Sequence, residues 1–591
     1  AERRKPGWFD LAKDDILASS NRRNVAQSFY ISLHRDDARK EPARRELRAR
    51  RKEVARIVDG AKNNWICARC SQLNGDSDAC GGHEAYWTAC KELLNGLQKP
   101  TASKALRMRK PDGELAIDDA ENLSVLAPFY EKLYNRPSSF DPTVIDELPA
   151  RDVIDALSRF PSDEAILKAF QKLKSGKSGG NGLPADAWKL AASSEGGFLE
   201  IKAFLLDFWE SELAPEEWVT LQLAVLSKKG DLSDPSNTRG IALMEAIPKL
   251  TGIIITGMLN EHVVLPGSDF AYQCGFVPER GCPDGQMPVK LGLTKRNQNE
   301  LDSYVLFVDL VKAFDSVDRV ALDAVLEKLG VPLKLRNVIM ALHSNVKIEI
   351  KLGDNKVSFS NNMGVVQGGS LSPTLFIIFV HAFVKTLDTS KWALPVYYTN
   401  DDDVLSGRSM FFRGGERFES PYSFYADDSG FGFCSRADFD IGAVVIRGHY
   451  ARWGLEMHVG TAKKESKTVA MFFPGCTRMY GDGDTSKLVF DDGSFVHFVT
   501  EFKYLGSYIH YSLRDDYDIE KRIETASKMF GALRGCIFSK ETVSYQAKRT
   551  AYVSIVLPTL LYGAETWAVS SGSLQKLQSF HNRCVRSMCH V

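Results

Sequence analysis

Two segments hold carboxylates where carboxylates are costly. The first is Tyr304-Val-Leu-Phe-Val-Asp309, which continues through Lys312 and Phe314 to Asp315. Its apolar run reads as a buried strand ending in Asp309, with a helix start expected just after it. A carboxylate in that place costs free energy unless a cation holds it. The second is Tyr422-Ser-Phe-Tyr425-Ala-Asp427-Asp428-Ser-Gly430-Phe-Gly-Phe433, a hairpin pattern with two carboxylates at its tip. Neighbouring Asp side chains repel, so keeping both ionised asks for positive charge, most simply a divalent ion. Hard oxygen donors favour Mg²⁺ or Mn²⁺. Three carboxylates from two strand ends can hold two ions about 3.5–4 Å apart, the arrangement for in-line phosphoryl transfer. An Asp-Asp pair alone is more often a surface turn. A solvated turn, however, has no need of Phe424, Tyr425, Phe431 and Phe433 around it.

Three other clusters carry weaker signals. Cys67-x2-Cys70-x9-Cys80-x2-His83 has the number and spacing of zinc ligands. Lys174-Ser-Gly-Lys-Ser-Gly-Gly-Asn-Gly182 is rich in glycine and lysine but lacks Walker A spacing, and reads as a flexible turn. The run Asp401-Asp402-Asp403 reads as a solvated loop.

Holding carboxylates together takes a large core. The chain has 591 residues, 44% hydrophobic and 25% charged, enough for several domain-sized units. That excludes a collagen, a coiled-coil rod and a wholly disordered chain. No run reaches 18 apolar residues, so no transmembrane helix is expected, and the start does not read as a signal peptide. Eleven scattered cysteines suit a reducing compartment. Strict alternation over Val346–Leu352, a turn at Gly353–Asn355 and Val357–Phe359 predict a hairpin; Leu488–Phe490 and Phe495–Val499 predict a second. From Tyr517 the pattern is helical, with Ile519, Ile523, Ala526, Phe530 and Leu533 on one face. Pro137 and Pro142 suggest a linker around 135–145. Net charge is zero, from 75 basic and 75 acidic residues. That average conceals a net of +6 over residues 1–60 and +4 over 514–591. The densest basic stretch, Arg44 to Lys52, has helical spacing beside a stripe of Val54, Ile57 and Val58.

The ordered set of motifs resembles the reverse transcriptases of non-LTR (LINE-type) retrotransposons. Tyr425-Ala-Asp-Asp428 is similar to their catalytic hairpin, and Phe307-Val-Asp309 through Phe314-Asp315 to their first catalytic motif. Gly364-Val-Val-Gln367-Gly368-Gly-Ser-Leu-Ser-Pro373 lies between them, as the family's Gln-Gly…Leu-Ser-Pro motif does. Upstream, Leu226–Asp231 with Asn237-Thr-Arg239 and Gln273-Cys-Gly275-Phe276-Val-Pro-Glu-Arg280 resemble earlier family motifs. Downstream, Lys467-Thr468, Phe502–Ser507 and Leu560–Trp567 resemble later ones.

The resemblance implies an α+β, right-hand polymerase fold (fingers, palm, thumb) with a helical, basic N-terminal extension. Residues 1–140 would form the extension, 141–300 the fingers, 301–512 the palm with part of the fingers, and 513–591 a truncated helical thumb. It implies an RNA-directed DNA polymerase acting by target-primed reverse transcription on an RNA template, a DNA primer or target and dNTPs. Asp309, Asp427 and Asp428 would be catalytic and bind two Mg²⁺, with Mn²⁺ as substitute. Lys228, Arg239, Phe314, Gln367, Gly368 and Lys467 would bind the nucleotide. Phe314 would be a steric gate against a ribose 2′-hydroxyl, or simply core. Gln367 would open a helix capped by Gly368-Gly369, and Lys467 would protonate pyrophosphate or stay solvated. Gly275, Phe276, Arg280, Tyr425, Leu505 and Gly506 would meet template and primer. The family places no zinc at Cys67, Cys70, Cys80 and His83. The implied location is the nucleus for integration and the cytoplasm as a ribonucleoprotein. The opening Lys5–Asp10 resembles a segment that follows an endonuclease, so an N-terminal endonuclease is expected beyond it. Alternatives are a domesticated cellular polymerase of the same fold, or an inactive nucleic-acid-binding relic.

Overall fold

The structure is a computed structural model that describes residues 7–34, 36–73, 82–95, 107–175, 183–228, 230–265, 270–390, 392, 394–398, 416–419, 422–462 and 464–591. It is a mixed α+β chain in two compact units, one of Ala1–Lys104 with Arg514–Val591 and one of Ala105–Leu513.

The first unit is helical. Lys40–Gln72 is one helix carrying the basic stretch. Ala43 and Leu47 are buried on its inner face, while Arg44, Arg45, Arg48, Arg51 and Lys52 stay exposed. Glu53 bridges this helix to Arg22 of Lys13–Ser32, at 2.7 Å. Trp65, Ile66 and Leu93 share a core with Leu533, Ile537, Val556 and Phe580, so the two ends of the chain fold together. In the helix Asp516–Leu533, Ile519, Ala526, Phe530 and Leu533 are buried, as the sequence spacing predicts.

The second unit holds the sheets. In chain order the strands are β1 (Thr220–Ser227), β2 (Thr238–Leu243), β3 (Ser303–Val308), β4 (Val346–Leu352), β5 (Asn355–Asn361), β6 (Pro395–Tyr398), β7 (Glu416–Glu419), β8 (Tyr422–Tyr425), β9 (Asp428–Phe433), β10 (Val469–Phe473), β11 (Leu488–Val489), β12 (Phe495–Phe498), β13 (Glu501–Tyr504) and β14 (Ser507–His510). One sheet runs β11-β12-β10-β3-β9-β8 and another β2-β1-β4-β5. Both sequence-predicted hairpins, β4–β5 and β11–β12, are antiparallel pairs.

β3 lies inside the six-stranded sheet and is buried along its whole length. Tyr304, Leu306 and Val308 face one core, with the mostly apolar helix Ser372–Lys385 and the helix Arg436–Arg452. Val305 and Phe307 face another, with Leu293, Met471 and Tyr504. Covering both faces explains why the strand reads as a continuous apolar run.

The structure corrects two local expectations. No α-helix starts directly after Asp309: Lys312 takes a left-handed φ of 51°, a 3₁₀ turn spans Ala313–Ser316, and the helix begins at Arg319. Asp318 caps it, accepting from the Ala321 N–H at 2.8 Å. Gln367 does not open a helix either. The helix starts at Ser372, with Pro373 in its first turn, and Gly368 precedes it at φ 111°. The stretch around 135–141 has no regular element but is docked: Phe140 packs on Trp453, and Asp141 pairs with Arg452 at 2.9 Å.

Arg319 ties this region together. Its guanidinium donates to the carbonyls of Asn361, Met363, Gly364 and His343. The His343 ring is buried, and Nδ1 donates to the Ile339 carbonyl at 2.8 Å. Burial and the neighbouring Arg319 push its pKa down to about 4. Below about pH 6.5 the unfolded chain therefore takes a proton that the folded chain refuses. The stability this confers is complete above that pH and is lost as pH falls toward 4. Relative to His343→Gln, the wild-type advantage should shrink by about 2–3 kcal/mol between pH 7.5 and 4.5. Thermal melts of both proteins check this; a constant gap contradicts it.

Candidate active site

Asp309 directly follows β3, and Asp428 opens β9, its hydrogen-bonded neighbour. The register places Val308 opposite Ser429 and Tyr425 opposite Asp428, so the carboxylates crown adjacent strand ends. Ala426 bends the hairpin with a left-handed φ of 58°, which carries Asp427 at the turn. The Asp309 backbone is fixed twice. Its N–H donates to Thr468 Oγ1 at 3.1 Å, and its carbonyl accepts the His458 N–H at 2.8 Å.

The three carboxylates feel one another. Burial, then Asp309, raises the Asp427 carboxyl above its ordinary range. Burial, then Asp427 and Asp309, pushes Asp428 up to about 6. Asp428 keeps solvent access at the turn, so water moderates that rise. Lys467 Nζ lies 3.8 Å from Asp309 Oδ2.

Cations gather on the same place. Burial, then Arg239 and Lys467, lowers the Lys228 pKa, while Asp315 and Asp309 oppose the fall. Burial and Lys228 likewise lower Lys312, whose Nζ donates to the Thr238 carbonyl at 3.1 Å. Asp315 is buried among these cations. Burial pushes it up to about 6 against the pull of Lys312, Arg136, Lys228 and Arg239. Lys228, Arg239 and Lys467 thus stand within electrostatic reach of the carboxylates.

The other sequence-predicted residues fall into separate groups. Phe314 is half-buried, stacks on Phe376 at 4.4 Å and meets the edge of Phe276 at 6.2 Å. The Gln367 carbonyl accepts from Ala242 N–H at 2.8 Å, and a Cβ on Gly368 would lie 2.5 Å from the Ala242 carbonyl oxygen. That turn is therefore pressed onto β2, and only glycine fits. Tyr425 and Leu505 meet at Gly285, and Gly506 completes the β13–β14 turn with φ 89°. Arg280 is engaged with its own loop, donating to the carbonyls of Phe270, Ala271 and Gln273.

Four residues of this neighbourhood were given no role from sequence: Gln273, Lys312, Asp315 and Thr468. Each lies within a motif whose other members stood out, and adjacency was the only signal. Gln273 is fully buried, and its Oε1 accepts from the N–H groups of both Gly275 and Ala426 at 2.8 Å.

Among the described residues no three His, Cys, Asp or Glu side chains converge closely enough to hold a metal as they stand. The donor chemistry nevertheless fits a hard divalent ion. All the donors are carboxylate oxygens, and their mutual repulsion is the imbalance such a charge relieves. Of the four residues with zinc-ligand spacing, the Cys80 and His83 side chains lie outside the described residues. Cys70 is buried, which pushes its thiol up to about 12.

Residues 226–509 match the family described as "Reverse transcriptase (RNA-dependent DNA polymerase)", so the chain carries a reverse transcriptase domain. It is a distant homologue of the RNA-directed DNA polymerases of non-LTR retrotransposons. It is 24% identical over 485 residues to the "Putative 115 kDa protein in type-1 retrotransposable element R1DM" of Drosophila melanogaster, covering 81% of this chain and 42% of that protein. It is 21% identical over 569 residues to the "Probable RNA-directed DNA polymerase from transposon BS" of the same fly, covering 91% and 56%. It is 27% identical over 164 residues to the "Retrovirus-related Pol polyprotein from type-1 retrotransposable element R2" of Popillia japonica, covering 27% and 22%. The chain thus spans about half or less of the length of these relatives.

Thr468→Val keeps the shape but leaves the part-buried Asp309 N–H without its acceptor. It should cost about 1–2 kcal/mol of stability and slow primer extension, whereas Thr468→Ser retains both. Melting and activity measured on the same preparations check this, and equal behaviour of the two variants would reject the clamp.

Proposed function

We propose that this chain copies the RNA of a non-LTR retrotransposon into DNA by two-metal nucleotidyl transfer, primed at a DNA target. The observation that carries the reading is the gathering of Asp309, Asp427 and Asp428 within electrostatic reach of Lys228, Arg239 and Lys467, inside the matched domain. The three carboxylates would hold two Mg²⁺ ions, with Mn²⁺ as substitute. Once bound, the ions would lower the pKa of a primer 3′-hydroxyl and neutralise charge on the triphosphate.

The chain's own groups do the rest. Lys228 and Arg239 grip triphosphate oxygens, the guanidinium bidentately. Lys467 hands a proton to the departing pyrophosphate. Phe314, braced by Phe376, crowds a ribose 2′-hydroxyl and so selects deoxynucleotides. The Gln367–Gly368 turn lets backbone approach the nascent pair closely. Gly275, Phe276, Arg280, Tyr425, Leu505 and Gly506 line the template and primer path. In the right-hand arrangement residues 141–300 are fingers, 301–512 palm and 513–591 thumb, after a basic extension over 1–140. The partners are element RNA, a DNA primer and dNTPs, met in the nucleus at integration and in the cytoplasm as a ribonucleoprotein. Among the described residues no helix is long and apolar enough to cross a membrane.

Primer extension on an RNA template with dNTPs and Mg²⁺ tests the reading. Wild type should extend and Asp427→Asn should fall to background; an inactive wild type or an active variant refutes it. Phe314→Val should lower the preference for dNTP over rNTP by about tenfold or more, and unchanged sugar selectivity would reject the gate. Affinity for a primer–template duplex should fall steeply between about 50 and 200 mM salt, because exposed arginines release phosphate counterions. A salt-independent Kd contradicts that.

A further inference from the structure

We infer that Gln273 is the positioning residue for the Asp427–Asp428 turn, locking it to the Gly275–Phe276 loop through one amide oxygen. The segment before the loop runs beside β8 as an added rung. Phe424 N–H donates to the Tyr272 carbonyl and Cys274 N–H to the Phe424 carbonyl, both at 2.9 Å. Gln273 stands at the middle of that rung, fully buried. Its Oε1 receives the Gly275 N–H and the Ala426 N–H, each at 2.8 Å. The amide can face only one way, since a nitrogen in that place would confront two donors.

Three observations make this more than packing. Ala426 holds a left-handed φ of 58°, a conformation a non-glycine residue keeps only when its surroundings over-determine it. The loop and the turn are pressed together so closely that a Cβ on Gly275 would lie 2.3 Å from the Ala426 nitrogen. The Gln273 Nε2 is buried without a hydrogen-bond partner among the described residues. An apolar side chain would spare the core that unpaired donor. The amide is therefore kept for its oxygen, which serves the peptide immediately before Asp427. Losing it frees that peptide plane to rotate, and the rotation carries Asp427 and Asp428 with it. The same oxygen fixes Phe276, whose ring edge meets Phe314. Gln273 touches no reacting atom; it acts through the turn and the loop.

The inference rests on the polymerase reading for its kinetic consequence but not for its structural one, so two readouts separate them. The full chain is compared with Gln273→Leu and Gln273→Met, which lack the acceptor, and with Gln273→Glu, which keeps it. Burial keeps the Glu variant protonated, so it retains a carbonyl oxygen as acceptor and places a hydroxyl where the nitrogen makes no bond. Hydrogen exchange of a peptide spanning 422–433 should quicken in the Leu and Met variants and stay near wild type in the Glu variant. In primer extension the Leu and Met variants should lose about tenfold or more in kcat, as misplaced catalytic groups do. They should also need severalfold more Mg²⁺ for half-maximal rate. A purely structural role would lower the active fraction without moving the Mg²⁺ midpoint. Should Gln273→Leu not fold, Gln273→Met carries the comparison. Unchanged exchange in a variant lacking the acceptor overturns the inference, as does a Glu variant as impaired as Leu. An inactive wild type whose exchange still responds to these substitutions sinks the polymerase reading and leaves the clamp standing.

Discussion

Asp309, Asp427 and Asp428 repel one another, and much of the second unit's construction serves to hold them together. Left to itself, a chain would splay three such side chains into water. Here β3 cannot move, because apolar side chains cover both of its faces. Asp309 leaves that strand with its N–H and its carbonyl both engaged. Asp428 is locked to the same sheet by the β3–β9 register. The cost of crowding is then met by the large apolar burial of the unit rather than by any single bond. It remains visible in the raised proton affinity of Asp427 and Asp428.

The cations are arranged on the same logic with opposite sign. Lys228 and Lys312 are partly desolvated and repelled by their basic neighbours, so each holds its proton less firmly than in water. Asp315, buried among them, is their nearest relief. Arg239 and Lys467 add to this crowd of charge. Under the proposed function, carboxylates with cations gathered beside them suit a ligand that brings both charges, a polyphosphate with its counterions.

What was legible in the residues follows from this division. A strand buried on both faces announces itself as an unbroken apolar run, so β3 and the place of Asp309 at its end were readable. The hairpin of Asp427 and Asp428 was readable from its aromatic flanks, and β4–β5 from strict alternation. The helix Asp516–Leu533 was readable from its 3.6-residue period. Local conformation after the motifs was harder. The left-handed Lys312 and the delayed start of the helix at Ser372 depend on how each segment docks on β2, at Thr238 in one case and at Ala242 in the other. Neither contact has a periodic trace. Gln273 and Thr468 were illegible for a stronger reason. Each acts through a single polar atom on the backbone of a residue more than 150 positions away. A lone Gln or Thr beside a motif looks the same whether or not it does this.

Charge shows the converse, a property misread in the average and clear in the fold. Zero net charge over 591 residues, taken alone, argues against a phosphate-binding protein. Yet the two basic stretches, at opposite ends of the chain, belong to one compact unit, and Trp65 and Leu93 share a core with Leu533 and Phe580. The arginines of the helix Lys40–Gln72 are left exposed because its inner face is taken up by Ala43, Leu47, Trp65 and Ile66. A screened field falls off within about 8–10 Å at ordinary ionic strength. A polyanion approaching that face therefore feels the local charges, the arginines with Glu41, Glu46 and Glu53 among them, and not the average over the chain. Net charge governs how the chain behaves in bulk, while the hydrophobic pattern decides which charges are presented together.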